Sequence, residues 1–170
     1  MSTVHKLLAG AIALQTVTLI GMVAHSALPL LIGEEVRVKT IPYDPRSLLR
    51  GNYARLNYAF SRVTLPAQRL RQGEVVYTTL TLGENGLYQF KEASLEKPAD
   101  GVFLRGRTNR RSAPRGWART HRIRYGIEAY FAPKEKALAL EHDLRRGGIA
   151  VLMVTKDGRA ALKDVIANTN

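Results

Sequence analysis

Eight arginines fall within twenty residues of this chain: Arg105, Arg107, Arg110, Arg111, Arg115, Arg119, Arg122 and Arg124. No Asp or Glu lies between Gly101 and Ile127 to neutralise them. Guanidinium forks match the geometry of phosphate and carboxylate and stay charged at any physiological pH. The segment is therefore a candidate anion-docking surface, with Trp117 suited to a membrane interface. The bland alternative is a solvated basic hairpin around a polar loop at 109–116.

Other chemistry is thin. Of the four histidines, His5 and His25 belong to an apolar N-terminal region, His121 to a predicted strand and His142 to a predicted helix. His121 with Glu128, or His142 with Glu141 and Asp143, are the available metal pairings, but no HxxxH or H-E-x-x-H spacing occurs, so no metal is expected. A serine–lysine hydrolase would draw its nucleophile from Ser47 or Ser61 and its base from Lys91, Lys97 or Lys134. None of these lysines sits in an apolar run that would desolvate it. There is no G-x-S-x-G and no phosphate-cradling glycine loop. The absence of cysteine removes thiolate nucleophiles, zinc–thiolate sites and disulfides together. No catalytic residue and no cofactor is expected.

What must hold the arginines in place begins at the N-terminus. Residues 7–33, 27 in all, carry no Asp, Glu, Lys or Arg. As a helix, residues 7–28 would span roughly 33 Å, close to the hydrocarbon thickness of a bilayer. Gln15, Thr16, Thr18 and His25 interrupt the run, but hydroxyls can bond back along a helix. Pro29 and Gly33 are expected to supply the stop. A cleaved secretory signal would have a shorter apolar run and a clean small-residue cut site, for which Ala24-His25-Ser26-Ala27 is a poor match. A buried core helix would show a polar face, and this segment has none. Residues 1–33 therefore read as a signal-anchor type of transmembrane helix. Arg37, Lys39, Arg46 and Arg50 follow it and only Lys6 and the α-amino group precede it, a count that favours an inward-facing domain. Long domains translocate largely regardless of charge, however, and anchors of signal type export the domain behind them, so an extracytoplasmic domain is expected.

Residues 34–170 are enough for one compact domain. They hold 25 Lys and Arg against 14 Asp and Glu, a formal +11. Such an excess implies contact with something anionic. Val36 and Val38 alternate with Arg37 and Lys39 as in a half-buried strand. Over 53–63, Leu56, Tyr58 and Phe60 share one face, with Arg55, Asn57 and Ser61 on the other. Strands are predicted at 74–82, 87–95 and 102–107. Asn85-Gly86 is read as a two-residue turn with both positions at positive φ. Residues 120–131 read as one strand, with His121, Ile123, Tyr125, Ile127 and Phe131 inward and Arg122, Arg124 and Glu128 outward. Pro133 and the spacing of Ala137, Leu138, Leu140 and Leu144 predict a helix over 134–146, ended by Gly147-Gly148. Strands at 149–155 and 160–167 flank a second turn at Lys156-Asp157-Gly158-Arg159. The fold class is α+β and β-rich: an N-terminal transmembrane helix, then one mainly antiparallel β domain, sheet or partial barrel, with one packed α-helix near the C-terminus.

The segment Ile41-Pro42-Tyr43-Asp44-Pro45-Arg46-Ser47-Leu48-Leu49-Arg50-Gly51-Asn52-Tyr53-Ala54-Arg55-Leu56-Asn57-Tyr58 resembles the signature of the bacterial GDYXXLXY family. Tyr125-Gly126-Ile127-Glu128-Ala129-Tyr130-Phe131-Ala132-Pro133 is similar to its second typical block, and Asp157-Gly158-Arg159-Ala160 to its closing one. The resemblance implies a membrane-anchored protein associated with multi-pass membrane proteins, without a defined biochemical role. Asn52 stands in place of the Asp of Gly-Asp-Tyr, keeping the Asx-turn capacity and losing the charge. Asp44, Pro45, Arg46, Arg50, Gly51, Asn52, Tyr53, Leu56 and Tyr58, with Tyr125, Gly126, Ile127 and Glu128, read as structural or partner-binding positions.

The function expected is that of a non-catalytic, single-pass accessory protein of the bacterial envelope. It would dock on a multi-pass membrane protein, or on an anionic lipid or glycan, through its basic surface. A membrane-anchored envelope hydrolase with a serine nucleophile is the competing class. A cytoplasm-facing anion or nucleic-acid binder follows if the orientation is inverted, whereas an exported, tethered domain rarely meets nucleic acid.

Overall fold

The computed structural model describes residues 2–41, 53–66, 70–109, 113–115, 118–131 and 147–167. Helix α1 (Thr3–Ile32) is 30 residues long, about 45 Å at the usual rise. Its most apolar 18-residue window has a mean hydropathy of 2.0 with none of it buried, which makes it long and apolar enough to cross a membrane. The hydroxyls inside it are satisfied locally: Thr16 donates to the Ile12 carbonyl, Thr18 to Leu14 and Ser26 to Met22 at 2.8–2.9 Å. Pro29 does not stop the helix as its type predicts. It is buried where the last turns of α1 pack on the C-terminal hairpin, and Gly33 N–H still reaches the Pro29 carbonyl at 2.9 Å. Gly33 has an ordinary φ of −73°. It is required for a different reason: a Cβ there would stand 2.9 Å from the backbone of Met153 and Val154.

Twelve strands follow among the described residues. They are β1 (Glu34–Ile41), β2 (Tyr53–Arg55), β3 (Asn57–Tyr58), β4 (Arg62–Pro66), β5 (Val75–Leu82), β6 (Tyr88–Ser94) and β7 (Val102–Thr108). After them come β8 (Ala113–Arg115), β9 (Ala118–Arg124), β10 (Ala129–Phe131), β11 (Gly148–Val154) and β12 (Ala160–Ala167). The main sheet runs β12-β11-β1-β6-β5-β7-β9-β4, with β8 beside β9, and β2 and β10 form a separate pair. Among these pairings β1–β6 is parallel and the rest are antiparallel. The sheet stays open, but β3 pairs back onto the end of β1 through Thr40↔Tyr58 and Ile41↔Asn57, curling it over one core. Alternation dictates that core: Val36 and Val38 of β1, Leu104 of β7, Ile123 of β9 and Leu152 of β11 are each at most 1 % exposed.

Three expectations need correcting. Residues 53–63 are not one strand. They break into β2, β3 and a 3₁₀ turn (Ala59–Ser61), because Ser61 Oγ accepts the Tyr58 N–H at 3.1 Å in place of a ladder partner. Leu56, Tyr58 and Phe60 are buried as their spacing predicts, but Ser61, assigned outward, is buried too. Residues 120–131 are likewise split, at Gly126 with φ +87°, although His121, Ile123, Tyr125 and Ile127 are all inward. The hairpin at Asn85-Gly86 has positive φ at Gly86 alone. Gly86 N–H bonds the Gly83 carbonyl at 3.0 Å and Gly83 N–H bonds Leu87 at 2.9 Å, so the loop has three residues and ends in a left-handed glycine. The second hairpin repeats this arrangement: Gly158 N–H bonds Thr155 at 2.8 Å and Thr155 N–H bonds Arg159 at 2.9 Å. The predicted helix over 134–146 lies outside the described residues.

Gly106 lies on β7 where a Cβ would collide with the Ile123 side chain and stand 2.8 Å from the Tyr125 ring. Gly106→Ala should lower the stability of the full-length protein in detergent by about 1–3 kcal/mol, measured by denaturant unfolding followed by circular dichroism. Gly10→Ala, with open space around it on α1, should leave the transition unmoved.

Candidate functional site

Two sequence blocks far apart along the chain meet through crossed tyrosines. Tyr58 donates its phenol proton to the Ile127 carbonyl at 2.8 Å, and Tyr125 donates to the Phe60 carbonyl at 3.0 Å while sharing a 2.7 Å bond with Thr78. Tyr58 stacks on Phe60 with ring centroids 5.0 Å apart, and Phe60 meets Tyr125 edge-on at 5.3 Å. The Leu56 N–H closes the seam on the Glu128 carbonyl at 2.9 Å, and β2 pairs with β10 through Arg55↔Ala129 and Tyr53↔Phe131.

Glu128 holds the turn that makes this crossing possible. One of its carboxylate oxygens accepts the Tyr125 N–H at 2.6 Å and the other the Gly126 N–H at 3.0 Å. Both oxygens are thus engaged by the backbone of the left-handed turn at Gly126. Burial pushes both phenols well above the usual tyrosine range, and the nearby Glu128 charge pushes in the same direction. For Tyr125 the Thr78 hydrogen bond offsets part of that rise. Each therefore stays a neutral donor.

A cleft of about 350 Å³ opens over this seam, lined by Arg55, Asn57, Ser61, Asn109, Arg122, Arg124 and Glu128 among others. A second groove of about 470 Å³ adjoins it across Asn109, Arg124 and Gly126, and draws in Arg105, Arg107 and Arg159. Register explains the clustering. On β7, Arg105 and Arg107 share a face, as do Arg122 and Arg124 on β9, and Arg107 lies directly opposite Arg124. On the other side of β9, Arg62 lies opposite Arg122. Like charges directly opposed across strands destabilise a sheet. Arg107 gives one Nη1 bond to the Gly73 carbonyl at 2.9 Å, and among the described residues Arg62, Arg105, Arg122 and Arg124 form no ion pair. What this face offers chemically is recognition of an anion by forked donors.

The arginines expected from sequence divide accordingly. Arg105, Arg107, Arg122 and Arg124 are brought together. Arg115 ends β8, and Arg119 on β9 pairs with Leu65 and Pro114. Arg110 and Arg111 lie outside the described residues. Of the family block, Asp44, Pro45, Arg46, Arg50, Gly51 and Asn52 lie outside them too, as does Ser47. Ser61 lines the smaller cleft, but its hydroxyl accepts the Tyr58 N–H, and among the described residues no lysine lines that cleft. His121 is fully buried, opposite Val63, and among the described residues no group of three His, Cys, Asp or Glu could hold a metal ion. Arg55, Arg62 and Arg159 were not in the expected set. Strand pairing makes Arg62 a neighbour of Arg122, and the Arg105 N–H bond to the Gly158 carbonyl brings the loop that carries Arg159 beside β7; neither relation has a local sequence signal.

A long unburied apolar helix leading into an open β-rich sheet with an arginine-lined face is compatible with a membrane-anchored β protein. The family model of the GDYXXLXY proteins matches residues 15–165, and the chain belongs to that family. No curated protein and no solved structure matches it.

Tyr58→Phe or Tyr125→Phe leaves a buried carbonyl without its donor, and each should cost about 1–3 kcal/mol in denaturant unfolding. The phenols also link stability to alkaline pH. Their folded-state ionisation lies above the unfolded value near 10, so their contribution is complete below about pH 10 and declines as pH rises beyond it. The Tyr58→Phe/Tyr125→Phe protein should therefore show a shallower loss of stability above about pH 10, followed by tyrosinate absorbance and circular dichroism.

Proposed function

We propose that this protein is a single-pass, membrane-anchored accessory protein of the bacterial envelope with no catalytic task of its own. Residues 1–33 are its anchor. Residues 34–170 form an extracytoplasmic domain that docks through its arginine face on an acidic surface of a multi-pass membrane protein. The observation that carries this reading is the pair of unneutralised cross-strand contacts Arg62↔Arg122 and Arg107↔Arg124. A sheet that keeps like charges opposed gives up on the order of a few tenths of a kcal/mol to 1 kcal/mol per pair, and an anionic partner removes that repulsion on docking. A tether supports the same reading, because confinement to one membrane raises the effective concentration of any partner embedded in it.

A reporter fused after Asn170 should be active only outside the cytoplasm; activity inside would reverse the orientation. Crosslinking in intact membranes followed by mass spectrometry should recover a multi-pass membrane protein with the wild-type chain. Recovery should fall several-fold with Arg62→Gln/Arg122→Gln, since rim charges set encounter and register. Unchanged recovery would remove the arginine face as the docking surface.

A further inference from the structure

We infer that the groove formed by Arg105, Arg107, Arg124 and Arg159 takes the phosphate of an anionic lipid in the membrane that α1 crosses. This rests on the reading of α1 as a retained anchor and is independent of any protein partner.

The loop between β11 and β12 sets the level of the bilayer. Arg159 Nη1 lies 2.8 Å from Nε2 of His25 on α1, and its Nε donates to Asp157 at 2.6 Å. Lys156, Asp157 and Arg159 are too polar for hydrocarbon, so the apolar layer ends on the N-terminal side of His25. Residues 7–24 number 18 and rise about 27 Å, which nearly fills a hydrocarbon core of about 30 Å. His25 and the 156–159 loop then lie among the headgroups.

Strand directions carry the arginines upward from that level. β1 leaves the end of α1 and leads away from the membrane. β6 runs parallel to β1, β5 antiparallel to β6, and β7 antiparallel to β5, so β7 also runs outward. Consistently, Phe103 near the start of β7 lines a small cleft with Ile32 and Glu34. The Arg105 N–H bonds the Gly158 carbonyl at 2.7 Å and ties β7 to the headgroup-level loop. Arg159, Arg105 and the opposed pair Arg107 and Arg124 thus form a ladder rising from the membrane surface, with about 7 Å along the strand from Arg105 to Arg107. No carboxylate lines this groove among the described residues, unlike the smaller cleft with its Glu128. A site with four guanidiniums and no acid in its lining, Arg159 alone of the four being ion-paired among the described residues, opens at headgroup height and fits the phosphate of an anionic lipid. The lateral concentration of such headgroups also exceeds that of any soluble phosphate.

The test is native mass spectrometry of the full-length protein released from micelles carrying phosphatidylglycerol or phosphatidylcholine. The wild type should retain phosphatidylglycerol in preference to phosphatidylcholine. Arg105→Gln/Arg107→Gln/Arg124→Gln should weaken that retention by on the order of a hundredfold, the product of about fivefold per surface cation. Lys39→Gln/Lys91→Gln/Lys97→Gln removes the same charge elsewhere on the domain and should weaken it far less; an equal loss would overturn the site. Added inorganic phosphate at matched ionic strength should not displace the lipid, and full displacement would reassign the groove to soluble phosphate and overturn the lipid. Loss of lipid preference with intact partner crosslinking would remove this site alone. A chain found without α1 in the soluble fraction would remove the tethered reading beneath it.

Discussion

Two buried phenols, each donating to the other block's backbone, are the interaction on which this domain depends. Tyr58 and Tyr125 satisfy carbonyls at Ile127 and Phe60 that have no strand partner there, because both segments leave the sheet at that point. An unmet buried carbonyl costs more than an average hydrogen bond gains, so each break in a strand requires the other block's tyrosine. The crossing also fixes where β9 ends and β10 begins, and so aims Arg122 and Arg124 at the clefts. Glu128 serves the same geometry by engaging both amides of the Gly126 turn. The carboxylate of this second block, which by type could have been a proton carrier, works as a backbone clamp.

The arginine face is a consequence of register. Each arginine is outward on its own strand for the ordinary reason that its neighbours are core residues. The sheet then sets Arg107 against Arg124 and Arg62 against Arg122, where independent strands would have scattered them. The charge is concentrated at a cost in local stability, which the apolar core of one curled sheet offsets. At the base of the domain, charges are instead paired: Arg37 and Lys163 both hold Glu35, and their hydrogen bonds keep its carboxyl below the usual range. Asp157 is held low in the same direction, chiefly by the Thr155 hydroxyl and then by Arg159. Paired charge beside α1 and unpaired charge along the arginine face divide the surface into a part that supports the helix and a part open to anions.

The membrane-crossing candidate, the alternating core of β1, the existence of strands at β5 and β11 and the positions of both hairpins were legible in the chain, because period, composition and turn chemistry are local properties. The paths through 53–63 and 120–131 were not. Alternation there continues through Phe60 and Ile127 even where the backbone turns, so burial period and strand continuity part company. Pro29 misled for a related reason. Its missing N–H costs one helical bond, but its ring is buried where α1 docks on the C-terminal hairpin, and docking is not a local property.

By itself, then, the amino-acid order determined an uncharged helix long enough to cross a membrane, a basic β-rich body and most of the side chains that face inward, since each comes from composition and short-range periodicity. The folded chain alone decided that Arg159 meets His25, that Arg62 and Arg107 join the arginines of β9, and that two distant tyrosines cross. Those relations come from pairing between segments up to 134 residues apart, as with Arg159 and His25, and no local pattern encodes which strand will lie beside which.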